Sequence, residues 1–345
     1  MMFNRKQMIF RSKNCLNIKK PYPKECRECI QSCPHEAISE NKNIIQEKCT
    51  ECGVCMSVCP SDGFADKDMD NLREYLFDSE QVILNCPLAE AQGYEISCLG
   101  MLDKDAWTVL MILAINKEVK VLTGDCGACA DREACAVSVG FFKEIHEAWL
   151  EHPRVEIKVV PNKDDGQLVN KTVNNQRSIT KKRINLKEQG KKKVKDLFPN
   201  IMAEEAYTIP KTREWITEAL KSFQELKIPY KTVKVDENNC TGCGVCSKIC
   251  PQNALQQIEK DNKILLIFEP IKCVQCGRCV NICGPEAMKI TYAALSSRYI
   301  NGKILLCETK ARYCDKCGKQ IFHKLEPALC MACAAKDPGL KGILY

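Results

Sequence analysis

The sequence predicts a multidomain protein of mixed α+β and α/β class. Two cysteine-rich modules flank a small parallel α/β domain, and a four-cysteine segment closes the chain. Three observations predict this. Closely spaced cysteines recur as pairs of blocks at 26–60 and again at 240–285, an internal repeat. Residues 81–161 between them alternate strand and helix patterns. Two Cys-x2-Cys pairs stand near the end of the chain. The expected segments are a first module at 1–80, the α/β domain at 81–161, a basic linker at 162–205, a second module at 206–300 and a terminal segment at 301–345.

Cysteine makes up 26 of the 345 residues, against 4 histidines, 3 tryptophans and 10 phenylalanines. With aromatics at 6%, apolar burial alone is a thin explanation for folding. No run of 18 or more apolar residues occurs, so no membrane span is expected. The start, MMFNRKQMIFRSKNC, lacks the apolar stretch of a secretory signal. The expectation is a cytoplasmic protein, in which disulfides are disfavoured and so many thiols point to metal. A secreted disulfide scaffold is set aside as the leading expectation on that ground.

The clearest motif is Cys240-x2-Cys243-x2-Cys246-x3-Cys250-Pro251, followed by Cys273-x2-Cys276-x2-Cys279-x3-Cys283. A tight loop with a cysteine every third residue can wrap three corners of a cubane, and the fourth cysteine, one turn on, serves the neighbouring cluster. Over residues 233–293 this spacing resembles the bacterial two-cluster [4Fe–4S] ferredoxins. The resemblance implies one cluster on Cys240, Cys243, Cys246 and Cys283 (set III) and another on Cys273, Cys276, Cys279 and Cys250 (set IV). The N-terminal blocks resemble the same module. Cys49-x2-Cys52-x2-Cys55-x3-Cys59-Pro60 is complete, but the preceding block, Cys26-x2-Cys29-x3-Cys33-Pro34, has Pro23 where a first ligand would stand. The expected assignment is Cys49, Cys52, Cys55 and Cys33 (set II), with Cys26, Cys29, Cys59 and Cys15 (set I). Cys15 closes set I through a longer loop. The competing readings are a [3Fe–4S] cluster with three ligands, or a free Cys15.

In the central domain the pattern reads strand (QVILN), helix (DKDAWTVLMILAIN), strand (VKVLTG), long helix (DREACAVSVGFFKEIHEAWLEH) and strand (VEIKVV). Ligands of open α/β folds gather at the carboxyl ends of strands, where Cys86, Cys98, Cys126 and Cys129 would converge. Their spacing resembles the [2Fe–2S] sites of thioredoxin-like ferredoxins. The stretches ISCLGMLDKDAWTVLMIL and VKVLTGDCGACADREAC resemble the delta subunit of methyl-viologen-reducing hydrogenase, an iron–sulfur protein that passes electrons to heterodisulfide reductase. The resemblance implies an additional [2Fe–2S] or [4Fe–4S] cluster here. Cys126-Gly-Ala-Cys129 is also the spacing of a redox dithiol, and buried structural thiols are a third reading. Cys135 reads equally as a further ligand or a small core residue.

The linker run KKRINLKEQGKKKVK at 181–195 reads as a solvated segment, with a basic arm on an acidic partner as the sharper alternative. Residues 208–227 read as an amphipathic helix with Trp215, Leu220 and Phe223 inward, followed by the strand YKTVKV. Cys314-x2-Cys317 and Cys330-x2-Cys333 form two knuckles that resemble a zinc ribbon and read as a tetrahedral four-thiolate zinc site, with a fifth cubane as competitor. His323 reads as exposed rather than ligating, and Cys307 as a buried strand residue. His35, His146 and His152 form no cluster and receive no role.

The formal charge is +7. Four [4Fe–4S] clusters and one zinc, each with its cysteinates carrying about −2, bring this to roughly −3, so bulk charge says little about partners. No Gly-x-Gly-x-x-Gly follows a strand, and neither a phosphate loop nor a radical Cys-x3-Cys-x2-Cys run occurs. With no catalytic residue named, the leading reading is a polyferredoxin-like electron-transfer subunit of a larger oxidoreductase complex, paired with a flavin-, hydrogenase- or molybdenum-type catalytic subunit. The alternative is a thiol/disulfide or heterodisulfide-type reductase acting at the central cysteines. Nucleic-acid binding ranks third.

Overall fold

In a computed structural model the described residues are 8–20, 22–149, 153–161, 209–223 and 225–337. The basic linker at 162–205 and His152 lie outside them.

The first module is built from very short pieces, because its chain spends itself on cysteine loops. Strands β1 (Met8–Phe10) and β2 (Phe64–Asp66) pair antiparallel, with Phe10 opposite Phe64. Three helices, each of four residues, lie between them: α1 (Leu16–Lys19), α2 (Glu28–Gln31) and α3 (Val54–Ser57). Helix α3 starts at Gly53, whose φ of 77° is left-handed, and a Cβ there would lie 2.5 Å from Met101 Cβ. Glycine therefore lets the second cysteine block press onto the next domain.

That domain comprises α4 (Met69–Asp78), β3 (Val82–Asn85), β4 (Tyr94–Glu95), α5 (Lys104–Leu113), β5 (Val119–Thr123), α6 (Arg132–Ala148) and β6 (Glu156–Val159). The sheet is all parallel in the order β4-β3-β5-β6. Parallel strands are covered on both faces, and Val82, Leu84 and Val121 are 0% exposed. Three of the four strands are legible in the sequence; β4 is two residues long and carries no periodicity. Helix α5 is apolar nearly all round and correspondingly buried, with Trp107 and Met111 at 0%. The Trp107 indole N–H finds its partner in Ser138 Oγ at 2.9 Å on α6, which in turn donates to Leu102 O at 2.8 Å.

Helix α5 begins at Asp103, whose Oδ1 accepts from the Ala106 N–H at 2.7 Å and whose Oδ2 accepts from Thr212 Oγ1 at 2.7 Å. Burial, with the Asp105 charge next, outweighs these donors and pushes the Asp103 carboxyl up to about 7. Between the unfolded value and that raised value the native state holds a proton that the unfolded chain has released. Stability therefore falls as pH rises through that window. The thermal midpoint should be higher at pH 6 than at pH 8, and Asp103→Asn, which keeps the cap, should flatten the difference. An unchanged pH profile in the variant would refute this.

Helix α7 (Lys211–Ala219) packs on α5, with Trp215 and Leu220 buried and Phe223 half-buried against the same core. It is shorter than expected, passing into a single 3-10 turn at Leu220–Ser222. The second module follows: β7 (Lys227–Val235), α8 (Val245–Ile249), β8 (Leu255–Lys260), β9 (Lys263–Phe268), α9 (Arg278–Asn281) and β10 (Met288–Ser296). Strands β7 and β10 pair antiparallel along their whole lengths. Strands β8 and β9 form a hairpin whose two turn residues, Asp261 and Asn262, both have positive φ. After α10 (Ser297–Ile300), β11 (Ile304–Lys310) joins that hairpin in the order β11-β9-β8. The short pair β12 (Arg312–Tyr313) and β13 (Gln320–Ile321) and helix α11 (Met331–Ala334) end the described chain.

One hydrophobic core runs without a break from Met8 through the parallel sheet to Ile300. A second, small core surrounds Leu255, Phe268 and Met288, and a third holds Cys314 and Ile321. The first module therefore has no core of its own. Helix α4, inside the segment assigned to it, packs on the sheet, where Tyr75 Oη accepts from Ile83 N and donates to Ile83 O, both at 3.1 Å. Among the described residues no helix is long and apolar enough to cross a membrane.

Candidate metal centres

Set I lines one cavity: Cys15, Cys26, Cys29 and Cys59, beside Phe10, Lys42 and Phe64. The eleven-residue excursion from Cys15 to Cys26 is closed by a reciprocal amide pair. Asn17 Nδ2 donates to Cys26 O at 3.0 Å, and Cys26 N donates to Asn17 Oδ1 at 2.9 Å. Gly63 N donates to Cys59 Sγ at 3.1 Å. The Cys29 thiol is pushed up to about 11 by burial, and Cys59, Cys26 and Cys15 act on it in the same direction.

Set II is linked in the same way. Burial raises the Cys55 thiol, with Cys52, Cys49 and Cys33 as the next contributors. Cys33 Sγ accepts from Ala37 N at 3.3 Å. In the second module Cys240, Cys243, Cys246 and Cys283 line one cavity, and Cys250, Cys273, Cys276 and Cys279 another. Cys246 and Cys273 are each pushed up to about 12, chiefly by burial. Ala254 N donates to Cys250 Sγ at 3.2 Å. Clustered thiols that hold one another protonated are sites where a cation reverses the balance, because metal binding stabilises the thiolate. Buried sulfurs already receiving backbone N–H bonds suit a thiolate-ligated cluster.

The central cysteines converge at the carboxyl ends of β3 and β5. Cys86 Sγ accepts from Gly124 N at 3.3 Å, Cys98 Sγ from Gly100 N at 3.4 Å and Cys129 Sγ from Asp131 N at 3.4 Å. Cys135, open between ligand and core residue on sequence grounds, belongs to this group. It is 7% exposed in the first turn of α6, and its S–H donates to Cys126 Sγ at 3.4 Å. The group abuts set II directly: a Cβ on Gly100 would lie 2.8 Å from Cys52 O. Asp131 ties the two, accepting from Thr50 Oγ1 at 2.7 Å and lying 2.7 Å from His35 Nε2. His35 thus braces the joint.

The sulfurs of Cys314, Cys317, Cys330 and Cys333 all lie within 4.8 Å of one another, with Cys317 and Cys330 at 3.6 Å. Four sulfurs at a Zn–S bond length in a tetrahedron stand about 3.8 Å apart, so these suit one ion, whereas a cubane needs wider spacing. Backbone N–H bonds, Cys330's foremost, lower the Cys314 thiol to about 6. His323 corrects the expectation of exposure: it is half-buried, with Nε2 2.8 Å from Leu329 O, and it is outside the four-thiol group. Cys307 is 1% exposed on β11 and lines the set III cavity with Thr309. Its place depends on a strand pairing that no motif announces.

Two family models match parts of the chain: an LdpA Fe-S cluster-binding domain at residues 22–69 and a 4Fe-4S dicluster domain at 232–285. An iron-sulfur subunit of the CoB–CoM heterodisulfide reductase of Methanocaldococcus jannaschii is 34% identical over 85 residues, which are 19% of this chain and 12% of that protein. This chain spans only about a tenth of the length of such subunits, 12% and 10% in two cases. Ferredoxin-3 of Rhodobacter capsulatus is 27% identical over 20% of this chain and 86% of its own length. A ferredoxin of Methanothermococcus thermolithotrophicus is 40% identical over 48 residues, 13% of this chain and 80% of that ferredoxin. Through that stretch, and with its cysteines gathered as described, the chain belongs to the ferredoxin family of [4Fe–4S] iron–sulfur electron-transfer proteins.

Proposed function

We propose that the protein relays electrons between a donor and the catalytic subunit of a larger oxidoreductase complex. Sets I to IV would each hold a [4Fe–4S] cluster, the central cysteines a further iron–sulfur cluster, and the terminal knuckles a structural zinc. The observation that carries the reading is the crossed gathering of thiols: the last cysteine of each block lies with the first three of the other. When bound, such clusters accept and release one electron at a time. The chain's part is to supply thiolates, to aim N–H donors at the sulfurs, and to keep water from them by burial. Cys15 completes set I, and Cys135 joins Cys86, Cys98, Cys126 and Cys129. The likeness to a protein named for heterodisulfide reductase supports a thiol/disulfide oxidoreductase as the class of partner.

A second reading has support in the Cys126–Cys135 distance of 3.4 Å, which suits a thiol pair as well as two ligands. In that reading the central site itself reduces a disulfide. Replacing Cys126 and Cys129 with serine separates the two. The relay reading expects one cluster signal to vanish from the electron paramagnetic resonance spectrum of the reduced protein, with a matching loss of iron. Unchanged iron with lost disulfide turnover would favour the reductase.

A further inference from the structure

Arg278 stands between Cys276 and Cys279 of set IV, yet its guanidinium is spent on the other module. Nη1 donates to Lys20 O at 2.6 Å and Nη2 to Leu16 O at 3.1 Å, both carbonyls lying between Cys15 and Cys26 of set I. The guanidinium also lies 4.9 Å from the Tyr22 ring centroid. The grip is returned, since Lys20 Nζ donates to Cys250 O at 3.3 Å and Lys19 Nζ to Gln252 Oε1 at 2.8 Å. Cys26 and Cys59 of one set and Cys276 of the other line a single cleft. The ligand-bearing segments of the two modules therefore touch each other.

The charge at this joint is uneven. Arg278 is 4% exposed, and among the described residues no carboxylate lies within ion-pair distance of it. Its partners are carbonyls and a ring face. Arg213, which donates to Cys273 O, is by contrast neutralised by Asp105. Arg278 lines the set IV cavity with Cys276 and Cys279, whereas the set I cavity is lined by Lys42 and Glu28 and not by Arg278. The set III cavity is lined by no charged side chain, and set II has the Asp131 carboxylate against Thr50. Reduction adds one electron to a cluster and breaks no bond, so a buried uncompensated cation favours the reduced state and an anion opposes it.

We propose that Arg278 clamps the two ferredoxin modules together and holds the cluster on set IV at higher reduction potential than those on sets II and III. This rests on the cluster assignment above. The test is a dithionite titration of the anaerobically prepared full chain, followed by electron paramagnetic resonance, with Cys279→Ser identifying the signal of set IV. Arg278→Met should shift the midpoint of that signal downward and move the other signals less, while Arg278→Lys should retain most of the wild-type value. Lys20→Met should give a smaller fall in the same signal, and it decides the matter if Arg278→Met loses iron. An unmoved set IV midpoint in a protein holding at least about sixteen iron atoms would overturn this inference alone, as would an equal fall in Arg278→Lys. A wild-type chain that takes up no iron would overturn the function proposed above as well.

Discussion

Stripping iron from the protein is expected to unfold the two cysteine-paired modules while the parallel sheet survives. The described residues of 8–66 contain only three-residue strands, one three-residue 3-10 turn and four-residue helices, and helices that short are marginal without packing. Most of what fills the module is thiol. The second module has a small core of its own, into which Cys240, Cys246, Cys250, Cys273, Cys279 and Cys283 pack. Binding of a structural metal is worth about 10–16 kcal/mol in zinc-finger peptides, against a net stability of about 5–15 kcal/mol for a whole domain. Losing it decides whether such a module folds. The sheet domain depends instead on Trp107, Leu84, Val121 and Met111, all at 0% exposure. After anaerobic chelation, limited proteolysis should cut within 8–66 and 233–293 while 81–149 stays protected. Intact modules after complete iron loss would show that apolar packing suffices. The same core reasoning predicts new exposure on the sheet domain where Gly53 and Met101 now meet.

How much of this was legible in the sequence follows from how local each feature is. Ligand spacing within a block is set by one loop around one cluster, so the cysteine intervals mark the blocks, while the expected pairing of blocks into four sets comes with the resemblance to two-cluster ferredoxins and leaves Cys15 open. Helix α5 was legible because an uninterrupted apolar run of that length has to be buried. Strand β4 was not. It exists because Gly93 lets the chain approach Ile83, where a Cβ would sit 2.0 Å from the carbonyl oxygen. Cys135 depends on where the first turn of α6 settles against Cys126, and Cys307 on the pairing of β11 with β9. The Arg278 joint brings together residues 258 and 262 positions apart, a relation no spacing rule contains. Cysteine spacing divides the first module from the α/β domain as if they were mere neighbours. Their shared core follows from the first module having too few apolar side chains to bury a face alone.

Arg213→Met is expected to destabilise the protein by about 3–5 kcal/mol, the range for breaking a buried ion pair by removing one partner. Arg213, on α7, is 5% exposed and Asp105, on α5, 8%. Nε donates to Asp105 Oδ2 at 2.9 Å and Nη2 lies 2.8 Å from the same oxygen. Burial disfavours the guanidinium charge most, but Asp105, Tyr230 and Cys273 together outweigh it, and the arginine is held charged. Methionine fills the space of the stem and leaves the Asp105 carboxylate without its cation, next to Asp103, whose own carboxyl is already pushed up. Removing both charges should cost far less, because the larger part of the penalty is the orphaned partner rather than the lost attraction. Arg213→Met with Asp105→Leu should therefore recover most of the loss, measured by anaerobic urea unfolding of the iron-loaded protein. Arg213 Nη1 also donates to Cys273 O, so the single variant should loosen a set IV ligand loop, and the rescue should restore stability without restoring that bond. If the double variant proved as unstable as the single one, the guanidinium would be acting chiefly through Cys273 rather than through Asp105.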